Sequence, residues 1–238
     1  MKKILVIMVI CILILTGCGK NEKTRNTNND ASLFKKEYEK LNGKKIKDHE
    51  IRKVTISKKN PIIYKSADEI VEMIDNKETF IVYFGFAECP WCRSMIENML
   101  SVSKDLNIKT IYYVDVENIR DKKELNPDSL IEEKEGIITV EEGSAGYMDL
   151  LNRLDKVLEK YILTDDDGNE FDTDEKRIFA PNVITIVDGK AVSLTTGIPD
   201  ELDDPYMKLT DKINDKSKKM LKKTMSEINS NVCTKESC

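Results

Sequence analysis

The stretch FIVYFGFAECPWCRSMIENML, residues 80–100, constrains this chain more than any other. Phe80, Ile81, Val82, Tyr83 and Phe84 form an unbroken β-branched and aromatic run of strand length, and Gly85 ends it. Pro90 suits a first helical position, and Met95, Ile96, Met99 and Leu100 recur at helical spacing. The pattern predicts a buried strand, a short turn and a helix opening on Cys89-Pro90-Trp91-Cys92. Two cysteines three apart on a helix lie about 5–6 Å apart at Cβ, close to disulfide reach. At the helix start, free N–H groups and the dipole favour thiolate over thiol. A thiolate of that kind both attacks disulfides and leaves from them readily. Cys89 is therefore the candidate nucleophile, and Cys92, one turn further in, the candidate resolving thiol.

Two rival readings of the pair stay open. One is a static disulfide, although so small a loop gains little from closure. The other is a four-thiolate zinc site completed by Cys233 and Cys238, for which the second spacing is loose. Trp91 is expected to stand exposed beside Cys89 as an apolar platform for partner chains, the alternative being a ring folded back on the helix. Glu88, Arg93 and His49, the only histidine, read as surface groups.

The 238 residues suffice for one domain with an insertion. Charged residues make up 34% of the chain with both signs mixed, and no basic run is interleaved with aromatics, which argues against nucleic-acid binding. Lys2 and Lys3 precede an apolar run over residues 4–15, the layout of a signal peptide. Leu15-Thr16-Gly17-Cys18 resembles the lipobox of bacterial lipoproteins. The resemblance implies cleavage after residue 17, lipidation of Cys18 and a place on the outer face of a bacterial cell membrane. A plain membrane anchor is the alternative. Loss of residues 1–17 takes the formal net charge from −5 to −7. Disulfides persist in such a compartment. The four remaining cysteines fall into two local pairs, and Cys233/Cys238 is expected to be a structural disulfide, with a second redox relay as its alternative.

Residues 18–45 are expected to form the lipidated cysteine and a flexible tether, with a short amphipathic helix hinted at by Leu33, Phe34, Tyr38 and Leu41. Alternation of Ile51, Val54 and Ile56 suggests an edge strand over residues 50–57. Ser66-Ala67-Asp68-Glu69 matches a capping box for a helix ending near Asn76. The apolar run over residues 109–116 is a second strand, parallel to the first by the usual crossover rule. Ile137, Ile138 and Val140 suggest a short apolar contact. A helix is expected from Ser144 with a stripe reaching Tyr161. Asp165-Asp166-Asp167-Gly168-Asn169 reads as a tight turn, since its glycine comes too early for a calcium loop. Asp188-Gly189 predicts a hairpin, and a last helix is expected over residues 206–228.

The order of elements, with Cys89-Pro90-Trp91-Cys92 after one strand and Pro181 just before a hairpin, resembles the thioredoxin fold. The resemblance covers residues 46–230, with residues 117–176 as a helical insertion and residues 231–238 as a cysteine-containing tail. It implies an α/β fold, a central mixed sheet flanked by helices, and a cis peptide before Pro181. Ala180 would then pair its backbone with the substrate chain. Tyr83-Phe84-Gly85, Cys89 to Arg93, and Tyr113-Val114-Asp115 with Glu117-Asn118 are similar to thioredoxin-like proteins described as bacteriocin-transport accessory proteins. The chain departs from thioredoxin between its cysteines, where Pro90-Trp91 replaces Gly-Pro, and again at the end of the preceding strand. Tyr83 stands where that family has a buried aspartate serving the resolving thiol.

The resemblance implies a membrane-tethered thiol–disulfide oxidoreductase. Its partners would be thiols and disulfides of exported proteins and a membrane redox partner, with no nucleotide, haem, flavin or metal cofactor. The alternative is a non-catalytic accessory lipoprotein that uses the same fold to hold a secreted peptide or transporter.

Overall fold

The computed structural model describes residues 27–46, 48–126 and 136–229. Cys18, Cys233 and Cys238, with the expected signal segment and tail, lie outside the described residues.

Helix α1 (Thr27–Glu39) comes first, then a two-stranded ribbon of β1 (Lys45–Ile46) and β2 (His49–Glu50). Strand β3 (Ile62–Tyr64), α2 (Ala67–Asp75), β4 (Phe80–Gly85), α3 (Pro90–Asp105) and β5 (Ile111–Asp115) follow. Next come β6 (Lys122–Leu125), β7 (Ile137–Glu141), α4 (Ala145–Leu154), β8 (Glu159–Thr164) and β9 (Glu170–Arg177). Strands β10 (Asn182–Val187) and β11 (Lys190–Thr195) and helix α5 (Asp211–Ser226) close the described chain, with a short 3₁₀ turn after α5.

The molecule is a mixed α/β fold around one five-stranded sheet in the order β11-β10-β4-β5-β3. β3, β5 and β4 run parallel, and β10 and β11 run antiparallel to their neighbours. Successive residues of β4 face opposite sides of the sheet. Ile81 and Tyr83 enter a core with Phe34, Tyr38, Met95, Ile96 and Leu221, while Phe80, Val82 and Phe84 enter another with Ile70, Tyr147 and Leu150. Both faces are covered, which is why β4 reads as a continuous apolar run.

Local signals lead to the elements they predict. Ser66 and Glu69 complete a capping box, with Ser66 Oγ accepting from the Glu69 amide at 3.1 Å and Glu69 accepting from the Ser66 amide at 2.8 Å. Asp188 and Gly189 adopt φ of 49° and 70°, the left-handed pair of a tight hairpin turn. Asp165 accepts from the amides of Asp167 and Asn169, so the expected tight turn connects β8 to β9.

Several expectations are corrected. The folded unit begins at least as early as α1, not at residue 46, because Phe34 and Tyr38 are fully buried. Residues 51–57 form no strand although Ile51, Val54 and Ile56 are buried. The Ile51 amide bonds the Lys44 carbonyl at 2.9 Å, and side chains take up backbone groups further along. Asn42 bonds both the amide and the carbonyl of Val54, and Glu39 accepts from the Ile56 amide. The three-residue strand β3, after Pro61, takes the sheet edge.

The insertion is not mainly helical. Its described residues hold the hairpins β6–β7 and β8–β9 and one helix that stops at Leu154. Tyr161 belongs to β8, where it is buried from a strand; its spacing from Leu154 fits a helix only by coincidence. Ile138 and Val140 stand 42% and 41% exposed on β7 rather than forming an apolar contact. The last helix starts at Asp211, with Thr210 Oγ1 accepting from the Ile213 amide. No helix among the described residues is long and apolar enough to cross a membrane.

Candidate active site

The site forms where β4 ends and α3 begins. Cys89 is the N-cap of α3, and its sulfur takes the place of the usual capping oxygen by accepting from the Cys92 amide at 3.2 Å. Pro90 follows at the first helical position, where no N–H is needed. Across the site, the Ala180–Pro181 peptide is cis, and the Ala180 carbonyl accepts from the Cys89 thiol at 3.3 Å. Asn182 braces this turn from within, its Oδ1 accepting from the Phe179 amide at 2.8 Å and its Nδ2 donating to the Pro181 carbonyl at 3.0 Å.

Both cysteines are free thiols and both are buried, Cys89 to 4% exposure and Cys92 to 0%. Their acidities are driven apart. The Cys92 thiol donates to Cys89 and pulls its pKa below the ordinary thiol value, aided by the amides of Cys92 and Trp91 and by the Arg120 guanidinium, against the cost of burial. Burial pushes Cys92 well up, and holding a proton for Cys89 pushes it further. The Tyr83 hydroxyl and the Phe86 amide act on Cys92 in the opposite direction. One sulfur is thus prepared to be a thiolate and the other to keep its proton, the division a nucleophile and a resolving thiol require.

Cys89, Cys92, Ala180 and Pro181 are brought together as expected. Trp91 is not a free-standing platform. It is half-buried and packs against the core that contains the cysteines. Arg93, expected in solvent, is 2% exposed. It donates through Nε to the Arg52 carbonyl, through Nη1 to those of Tyr38 and Ala87, and through Nη2 to Asn42 Oδ1, all within 2.7–3.0 Å. Glu88 is partly buried. His49 is exposed as expected and stacks on Tyr206 at 4.1 Å.

Arg120 was not apparent as a site residue from the sequence, because the segment after β5 has no periodic pattern. It lies over the Phe86 ring at 5.4 Å and bonds the Val116 carbonyl through Nε. The insertion leaves the sheet after β5 and returns just before Ala180, so both its ends flank the thiols. The two ends are clasped where Arg177 donates to the Asp121 carbonyl at 2.6 Å. A surface cavity of about 860 Å³, bordered by Lys58, Lys59, Lys104 and Lys109, opens at the other end of the parallel strands.

The contribution of Arg120 gives a first test. Arg120→Gln is expected to raise the pKa of Cys89. The thiolate fraction at neutral pH then falls, and the midpoint of Cys89 alkylation against pH moves upward. Iodoacetamide labelling read by peptide mass checks this, and an unmoved midpoint would leave the helix start and Cys92 as the sole causes.

No family model matches the chain, and no match is found among curated proteins.

Proposed function

We propose that this chain is a thioredoxin-like thiol–disulfide oxidoreductase, lipid-anchored through Cys18 and acting on disulfides of exported proteins at the outer face of a bacterial cell membrane. The observation that carries the reading is the Cys89 sulfur capping α3 and facing the carbonyl before cis-Pro181, with Cys92 buried one turn behind it. The sheet order β11-β10-β4-β5-β3, in which β10 alone runs against the other four strands, supports the fold assignment. The anchor rests on the Leu15-Thr16-Gly17-Cys18 sequence.

In the reductive direction, Cys89 thiolate attacks one sulfur of a substrate disulfide. A Cys89–substrate disulfide forms, and the other substrate sulfur leaves with the bonding pair and takes up a proton. Cys92 then gives up its proton and attacks Cys89. The Cys89–Cys92 bond forms, the mixed disulfide breaks, and the second substrate sulfur leaves as a thiol. The dithiol has been oxidised and the substrate disulfide reduced. The Ala180 carbonyl, once released by the Cys89 thiol, is placed to accept from a substrate amide. A membrane redox partner would return the pair to its starting state.

The test is equilibration of the full chain with glutathione and then dithiothreitol buffers, with Cys89 and Cys92 followed by peptide mass. Reversible formation of a Cys89–Cys92 disulfide is expected. A potential near about −270 mV makes the chain a reductant, and one near about −120 mV an oxidant. Failure of the pair to cycle would remove the reading. The exposed Ile138, Val140 and Met148 on the insertion favour a second reading, an accessory module that holds a partner chain. That role would survive replacement of both Cys89 and Cys92 by serine.

A further inference from the structure

Cys92 poses a problem that the motif alone does not solve. While Cys89 is a thiolate, the Cys92 thiol has an acceptor for its proton. Once Cys89 is tied up in a mixed disulfide, that acceptor is gone. Cys92 must then ionise in full burial, where a lone thiolate is costly. The element facing it from the sheet is β4, through Tyr83, which is buried in the same core and whose hydroxyl favours the ionised form of Cys92. Behind Tyr83 stands Tyr38 of α1, with the two hydroxyl oxygens 2.8 Å apart. The Tyr38 hydroxyl also reaches the Phe86 carbonyl at 3.3 Å. Both tyrosines are fully buried. Space for the Tyr83 hydroxyl exists because residue 85 is glycine: a Cβ there would lie 2.3 Å from it.

We propose that Tyr83 and Tyr38 form a hydroxyl dyad that supplies the hydrogen bond on which ionisation of Cys92 depends during resolution of the mixed disulfide. Tyr83 contacts the reacting sulfur, and Tyr38 is its positioning residue. The proposal rests on the oxidoreductase reading above.

The dyad works by turning its hydroxyls. With Cys92 protonated, S–H can donate to Tyr83, Tyr83 to Tyr38, and Tyr38 to the Phe86 carbonyl. With Cys92 ionised, both hydroxyls reverse: Tyr38 donates to Tyr83 and Tyr83 donates to the thiolate. A donor already polarised by another hydroxyl is a better donor. Burial holds both phenols well above their ordinary pKa, so they stay protonated and act as donors, not as bases. The proton lost by Cys92 is balanced by the one the departing substrate sulfur takes up. Other ionisable groups around the dyad are Cys89 on α3, Tyr113 and Asp115 on β5, Arg93 on α3 beside Tyr38, and Arg120 at the start of the insertion. Tyr113 stacks on the Tyr83 ring at 5.4 Å and turns its hydroxyl toward Asp115.

The two half-reactions separate the possibilities. The reduced full chain is mixed with oxidised glutathione, quenched in acid at intervals, and mapped by peptide mass. Attack is read as appearance of glutathionylated Cys89, and resolution as its conversion to the Cys89–Cys92 disulfide. Tyr83→Phe keeps the ring and is expected to leave attack unchanged while slowing resolution about tenfold at neutral pH, the weight of one hydrogen bond to a charged group. Its resolution rate should also rise with pH later than that of the unaltered chain, so the gap narrows toward high pH. Tyr38→Phe should slow resolution by about threefold. Tyr64→Phe removes a hydroxyl from the same aromatic cluster, one bonded to Glu37, and should change neither step. Resolution in Tyr83→Phe within twofold of the unaltered chain would overturn the dyad. So would equal slowing at every pH, which marks a packing defect. If the unaltered chain forms neither glutathionylated Cys89 nor the Cys89–Cys92 disulfide, the oxidoreductase reading itself falls.

Discussion

Replacing Cys92 with alanine is expected to stop turnover while sparing the first attack, so that the chain accumulates covalently joined to its substrate through Cys89. The basis is the division of labour between the two sulfurs. Cys89 keeps its helix-start amides and Arg120 in this variant, although it loses the donor that lowers its pKa most. Attack should therefore slow moderately, and release, which needs the second sulfur, should fall by on the order of 10³-fold or more. Cys89→Ala should abolish both steps and yield no adduct. Non-reducing electrophoresis of each variant with a disulfide-bonded protein substrate, followed by identification of the linked cysteine, reads both outcomes. Adducts formed through Cys92 instead would reverse the roles assigned here.

The second large effect is on stability. Arg93→Met is expected to destabilise the fold by about 3–5 kcal/mol, because methionine replaces the stem but none of the donors. The carbonyls of Tyr38, Ala87 and Arg52 and the Asn42 side chain would lose their partner together. These acceptors belong to the end of α1, the loop after it, the segment before β3 and the turn that carries the motif. One guanidinium thus ties four separate segments together beside the site. Burial lowers the Arg93 pKa, yet arginine starts so high that it remains charged at any physiological pH. Urea unfolding followed by tryptophan fluorescence measures the loss, and a change below about 1 kcal/mol would mean that water serves these acceptors instead.

What the sequence reveals about this chain is what short stretches decide by themselves. β4 needs only its own apolar run, α2 its capping box, α3 its proline and stripe, and the β10–β11 hairpin its Asp188-Gly189 pair. The thiol pair is legible for the same reason, and Pro181 stands out because it precedes an apolar strand. Features set by distant partners are not legible. Residues 51–57 alternate like a strand, but Asn42 and Glu39 capture their backbone groups first. The stripe after Ser144 satisfies a helix as far as Tyr161, yet pairing with β9 holds Glu159–Thr164 extended. Arg93 did leave a trace, since it falls at helical spacing with Ile96 and Leu100 on the inward stripe. A charge at such a position signals a buried cation when enough carbonyls lie nearby, and those carbonyls come from elsewhere in the chain.

The bond across the site from the Cys89 thiol also fixes when, during synthesis, the site can exist. The thiol bonds a carbonyl that lies 91 residues further along the chain. At ribosomal speeds of about 5–20 residues per second, the newly made cysteine pair waits roughly 5–20 s before Ala180 is available. Helix α1, made first, must likewise hold Phe34 and Tyr38 unpartnered until β4 and β5 are made. The nascent chain therefore presents an apolar helix face until β5 is made, and two unshielded thiols while the 91 residues up to Ala180 are added. Its reactive centre is completed long after the motif that carries the thiols.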